Sequence, residues 1–147
     1  MTKYLLGFLA LTYACVVHSD GAESFIANYL SDFEKNNDVA AYFTEKPQFI
    51  FGAHTHTPES SLQASRFIQD MRTKLAASGY STSHITETKV LASIDSYRLI
   101  AFSLTRVKQD GTELDKVCST YGILNTEQGY KILSWQPSQP DNHGRCW

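Results

Sequence analysis

Residues 97–124 read YRLIAFSLTRVKQDGTELDKVCSTYGIL, two alternating segments joined at Asp110-Gly111. Asp-Gly between such segments is a strong hairpin signal, because both central residues of a type I′ turn need φ > 0. A two-residue turn here pairs Lys108 with Glu113 and Arg106 with Asp115, and both pairs join opposite charges. Carried inward, the register opposes Leu104 to Val117, Phe102 to Ser119 and Ile100 to Tyr121. Ile100, Phe102, Leu104, Val117, Tyr121 and Ile123 then share one bulky face, which should meet the helices. The opposite face carries Ala101, Ser103, Thr105, Cys118, Thr120 and Gly122 and is smaller and more polar.

The same alternation extends outward from the hairpin. Strands from about Ser83 to Ala92 and from Tyr130 to Gln136 complete an antiparallel meander of four sequential strands, with turns at Ile94-Asp95-Ser96 and Glu127-Gln128-Gly129. The helical patterns all come earlier in the chain. Asp20 and Glu23 have capping-box spacing ahead of Phe25, Ile26, Tyr29, Leu30 and Phe33, a first helix that ends near Asn36-Asn37. Asp38 can cap a second, shorter helix through Val39 to Phe43, with Pro47 terminating the helical region. Gln48 to Phe51 reads as a short strand stopping at Gly52, and His54 to Thr57 as a loop. Thr57 at the N-cap and Pro58 at the first helical position open a third helix of about twenty residues. Leu62, Phe67, Ile68, Met71 and Leu75 form its buried stripe, and Gly79 suits the left-handed position past its end.

At 147 residues the chain has the length of one domain, with apolar content sufficient for a core and no low-complexity segment. Lys3 followed by the uncharged apolar run Tyr4 to Val17 has the form of a secretory signal peptide, residues 1–19, with cleavage expected after Ser19. The run is short for a membrane span, which needs roughly 20 apolar residues. A lipoprotein acylated at Cys15, or a retained first helix, is the alternative reading. Either export route implies a secreted or periplasmic protein. Loss of Lys3 takes the 13 basic side chains to 12 against 15 acidic ones, a net charge of −3. The basic residues are scattered, so no nucleic-acid partner is expected, and no membrane association after signal removal.

Cleavage after Ser19 leaves Cys118 and Cys146, an even pair in an oxidising compartment, and a disulfide between them is expected; two free thiols is the other reading. Cys118 lies on the outer face of the meander. A bridge to Cys146 would therefore tie residues 137–147, a tail with two prolines and no periodicity, back across the sheet.

Three helices with a short strand before the last, followed by a curved antiparallel meander, resemble the NTF2-like superfamily, which includes ketosteroid isomerase and the SnoaL-type polyketide cyclases. The local pattern is similar at Tyr42-Phe43-Thr44 before Phe49-Ile50-Phe51, at the Gly-Tyr closing Leu75 to Tyr80, and at Thr120-Tyr121-Gly122-Ile123-Leu124 before Gly129-Tyr130-Lys131-Ile132. The resemblance covers about residues 22–136. It implies an α+β, cone-shaped fold for residues 20–136, three N-terminal helices on a curved antiparallel sheet, with a pocket in the cone and a homodimer formed through the sheet. It leaves function open, because one fold of this kind carries many unrelated activities.

Concave apolar sites with a few polar groups are where small ligands bind. The residues expected to line such a site are Tyr29, Phe33, Tyr42, Phe51, Phe67, Met71, Phe102 and Tyr121, and each of them also suits plain core packing. Isomerase chemistry needs a carboxylate base beside the pocket. The matching stretch here, Phe49-Ile50-Phe51-Gly52, has none. The Asp-Arg-Asp set of the epoxide-hydrolase branch is also missing from the expected inward face. His54 and His56, with His84 or His143 as a further partner, could supply a general base or metal ligands, but without a carboxylate or Cys at ligand spacing the reading is solvated polar sequence. No metal and no cofactor is expected, and no nucleophile elbow, phosphate loop or dinucleotide fingerprint is present. Two functions follow: a module that binds a small apolar ligand or associates through its sheet, or a cofactor-independent isomerase, cyclase or hydratase using His54 or His56 with Tyr42 and Tyr121.

Overall fold

A computed structural model describes residues 21–147. The expected signal peptide, Cys15 and the Asp20 cap lie outside them. Among the described residues, helix α1 (Gly21–Glu34) is followed by a 3₁₀ turn (Ala40–Tyr42), strands β1 (Phe43–Phe51) and β2 (His54–His56), and helix α2 (Ser61–Ala77). Strands β3 (Tyr80–Ile94), β4 (Tyr97–Lys108), β5 (Glu113–Thr126) and β6 (Gly129–Ser138) complete the fold. The sheet has six strands in the order β2-β1-β6-β5-β4-β3, so β2 and β3 are open edges.

α1 buries Ala22, Ile26, Tyr29 and Leu30, one face at helical spacing. Asn36, at φ 56°, and Asn37 close it by donating backbone N–H bonds to Phe33 and Asp32, both 3.0 Å. The expected second helix is only the 3₁₀ turn, so there are two α-helices rather than three among the described residues. Asp38 does accept from the Ala40 N–H (2.9 Å), but Phe43 must already be extended to pair with Ile132 on β6. Pro47, expected to stop a helix, lies buried inside β1, where the ladder is interrupted between Phe43 and Gln48 and its missing N–H costs nothing. β1 runs parallel to β6, which makes the sheet mixed rather than purely antiparallel.

His54–His56, expected as a loop, pairs with β1 across a two-residue turn begun by Gly52 at φ 59°. α2 starts at Ser61, three residues past the expected Pro58, because Ser60 is the N-cap: its hydroxyl accepts from the Gln63 N–H at 3.2 Å.

The hairpin register holds inward: Arg106 opposes Asp115, Leu104 opposes Val117, Phe102 opposes Ser119 and Ile100 opposes Tyr121. The turn differs from expectation. Gly111 alone has positive φ, 83°, and the loop Gln109-Asp110-Gly111 is closed by Gly111 N–H to Lys108 O (3.0 Å) and Lys108 N–H to Thr112 O (2.9 Å). Asp110 instead accepts from the Thr112 N–H and hydroxyl at 2.9 and 2.7 Å. Glu113 consequently pairs with Val107, not Lys108, and a bulge restores the expected register by Asp115. Three-residue loops with this bulge are the next commonest hairpin connection.

The inner face of the meander, with Ile100, Phe102, Leu104, Tyr121 and Ile123, packs against α1, α2 and β1 in one core. On the outer face Cys118 is bridged to Cys146, with Cα atoms 5.5 Å apart. β6 continues to Ser138, two residues past expectation, and the tail beyond it brings the Trp147 ring to 5.9 Å from Lys89 Nζ on β3. No helix among the described residues is long and apolar enough to cross a membrane.

Candidate functional site

The core does not fill the concave side of the sheet. A cavity of about 650 Å³ lies between α1, the C-terminal turns of α2 and the inner face of β4, β5 and β6. Tyr29, Leu30 and Phe33 form the α1 wall, Met71 and Leu75 the α2 wall, and Leu104, Val117, Tyr121 and Trp135 the floor, with Phe51 at one side. The space has a local cause. Ser119 stands on the inward face opposite Phe102, a small side chain in a bulky row. The sheet also curves, through ladder irregularities at three places along β3 and one between β5 and β6.

Depth and polarity are graded. Tyr29, Leu104, Ser119 and Tyr121 are buried at the bottom, whereas Gly52, Lys74, Ser78 and Gln139 are exposed at the rim. Burial pushes the phenols of Tyr29 and Tyr121 well above their usual pKa; for Tyr121 a hydrogen bond with Ser119 pulls the other way. Both therefore stay neutral at physiological pH, and the Ser119 hydroxyl also accepts from Trp135 Nε1 at 3.3 Å. The charged side chains lining the cavity are Lys74 and Arg106. Arg106 is held from outside the lining by Asp115, through Nε to Oδ1 at 2.6 Å and Nη2 to Oδ2.

Of the residues expected at a pocket, Tyr29, Phe33, Phe51, Met71 and Tyr121 line this cavity and Tyr42, Phe67 and Phe102 do not. Phe102 is fully buried. Phe67 stacks on Phe49, ring centroids 5.1 Å apart, and packs against His56 at 4.6 Å. Tyr42 donates its hydroxyl to Asp32 Oδ2 at 2.6 Å. Burial, with that hydrogen bond, pushes Tyr42 up to about 12.

The expected chemistry candidates are not gathered at one place. His54 and His56 are exposed on the edge strand β2 and neither lines the cavity. His84 borders a separate depression beside α1, and the backbone N–H of His143 donates to Asp141 in the tail. No group of three or more His, Cys, Asp or Glu side chains among the described residues could hold a metal ion.

Leu30, Trp135, Lys74, Leu75, Arg106 and Ser119 were not expected in the lining. The signal for Ser119 was present in its place within the bulky row. Trp135 was hidden by a bulge: Ile132 pairs with Ile123 and Ser134 with Gly122, leaving Leu133 as the extra residue that turns Trp135 inward.

Compared with known proteins, the chain from residue 19 to 140 matches a family model described as NTF2-like protein (DUF6841). No curated protein matches it by sequence. Among solved structures, an NTF2-like protein with a cystatin-like fold from Novosphingobium aromaticivorans superposes with a TM-score of 0.65 at 12% identity, over 82% of this chain and 80% of that one. A domain of unknown function with a cystatin-like fold from Nostoc punctiforme gives 0.61 at 13% identity, over 85% and 78%. The yeast UBP3-associated protein BRE5 gives 0.61 at 14% identity, over 84% and 96%. At these identities the likeness is one of fold.

Proposed function

The chain belongs to the NTF2-like family DUF6841, and from that membership and its open cavity we propose that it binds a small, largely apolar ligand between α1, α2 and the inner face of the sheet. The observation that carries this reading is the cavity of about 650 Å³, apolar at its walls, with neutral hydroxyls at its floor and polar groups at its rim. That size and polarity are typical of small-molecule sites. An isomerase, cyclase or hydratase built on His54 or His56 with Tyr42 and Tyr121 needs those groups within reach of one substrate. Only Tyr121 lines the cavity, which favours binding over that chemistry.

Narrowing the cavity tests the reading. Val117→Phe, a half-buried position on the floor, should leave the far-ultraviolet circular dichroism unchanged and lower the occupancy of ligand found by native mass spectrometry of the purified protein. Ligand retained at wild-type occupancy in a folded Val117→Phe protein would overturn it.

Export is part of the same proposal, supported by the Cys118–Cys146 bridge, since disulfides persist in oxidising compartments. N-terminal sequencing of the exported protein tests it: a chain beginning at Asp20 is the expected result. Homodimerisation through the sheet would have to use the outer face left open beside the tail. Sedimentation velocity tests it by the presence of a species of twice the protomer mass.

A further inference from the structure

We infer that the ligand of this cavity is an amphipathic carboxylate, with its apolar body on the floor and its anionic head at the rim beside Lys74 and Arg106. The inference rests on the binding function proposed above and names the chemical class of the ligand. It starts from a mismatch of charge: acidic residues outnumber basic ones in the chain, 15 to 13, yet both charged side chains lining the cavity are cationic.

The two cations are not equivalent. The Arg106–Asp115 pair is close to neutral as a unit, and its geometry commits Nε and Nη2 while Nη1 makes no hydrogen bond among the described residues. Lys74 takes part in no ion pair among the described residues, although Asp70 lies one helical turn before it. The net charge at the mouth is therefore that of the Lys74 ammonium. The carbonyls of α2's last turn would oppose an anion, but Leu75 O and Ala76 O already accept from the Ser78 and Gly79 N–H groups at 2.9 Å. A carboxylate at the rim would meet the Lys74 ammonium, a charge-assisted pairing stronger than neutral hydrogen bonds, and the half-buried Arg106 of the same lining has a guanidinium donor to spare. Further in, Tyr29 and Tyr121 are held neutral by burial and the walls are aliphatic or aromatic, so a second charge would find no partner.

The test uses three ligands with the same ten-carbon chain, decanoate, 1-decanol and decyltrimethylammonium, titrated below their aggregation thresholds and followed by tryptophan fluorescence, since Trp135 lines the cavity. Decanoate should bind about tenfold more tightly than decanol, with the ammonium weakest, and the preference should shrink with added salt. Lys74→Met should remove most of the preference for decanoate over decanol, and Lys74→Arg should keep it. Equal binding of decanoate and decanol, or a preference that survives Lys74→Met, would overturn the carboxylate assignment and leave the apolar pocket standing. Failure of all three to bind up to their solubility or aggregation limits would overturn the pocket reading and the assignment together.

Discussion

Gly122 has no side chain because there is no room for one: a Cβ there would press into Ser134 Oγ and come within 2.9 Å of the Tyr97 hydroxyl. Ser134 and Tyr97 belong to the strands on either side, and relief would require the Ser134 hydroxyl to change rotamer and the Tyr97 ring to move aside. Gly122→Ala should destabilise the protein by about 1–3 kcal/mol in urea unfolding. A neutral result would mean that the Ser134 and Tyr97 side chains move aside freely. The Asp32–Tyr42 pair is a second residue-scale contact. Its hydrogen bond from Tyr42 lowers the Asp32 pKa, so the associated stability is held above the ordinary carboxylate value and lost as pH falls through the depressed one. Tyr42 has the opposite sign: its contribution is held below the ordinary phenol value of 10.0 and lost as pH rises toward about 12. In Tyr42→Phe, the Asp32 carboxyl followed by carbon-13 NMR should titrate at higher pH than in the wild type. An unmoved midpoint would show that the bond is absent in solution. Neither effect was legible in the sequence, where Tyr42 was expected in the pocket; ten residues of turn and helix end separate the partners, and no periodicity predicts such a contact.

At the scale of elements, the meander was legible and the segments before it less so. The faces of β4 and β5 follow from side-chain alternation, which survives even though the loop is one residue longer than expected, because the bulge beside it adds the residue that restores register. β6 illustrates the opposite outcome, since its bulge at Leu133 lies within the strand and reverses the face of everything after it. Nothing in Lys131-Ile132-Leu133-Ser134 marks the bulge, which falls where Ser134 packs closely over Gly122 of the neighbouring strand. The 3₁₀ turn and β1 were misread for a related reason. Asp38 signals a cap, and besides the local Ala40 N–H it has a tertiary partner: Asp38 Oδ1 accepts from the Ser65 hydroxyl at 2.7 Å, and that hydroxyl accepts from the Val39 N–H at 2.9 Å. α2 offers a direct check of local chemistry. Ser60→Ala removes the acceptor for the Gln63 N–H and should cost about 1 kcal/mol, read as a lowered thermal midpoint. An unchanged midpoint would move the cap to Thr57, the residue that the sequence favoured.

Across the whole molecule, the disulfide joins residues 28 apart in sequence and holds the far end of the tail on the outer face of the sheet, while Gln139 at the start of the tail lines the cavity rim. Closing a loop of that length should stabilise the fold by about 3–4 kcal/mol through the unfolded chain. Cys146→Ser should therefore lower the urea midpoint by a corresponding amount, measured without reductant, while ligand binding in the folded protein persists. Loss of binding with the fold intact would show that the bridge is needed to hold Gln139 at the rim. The pairing of β1 with β6 has another outcome, in time rather than in stability. Phe43 and Ile132 are neighbours in the sheet but 89 residues apart along the chain. β3, β4 and β5 can zip together through short turns, whereas β1 has only the three-residue β2 for company until β6 has formed beside β5. Long-range pairing of this kind is slow, because the entropy of closing the loop is spent before the contact forms. Assembly should therefore begin in the C-terminal half, and β1, whose Phe43 and Phe49 are buried only in the finished sheet, should be the segment most exposed to mispairing while it waits.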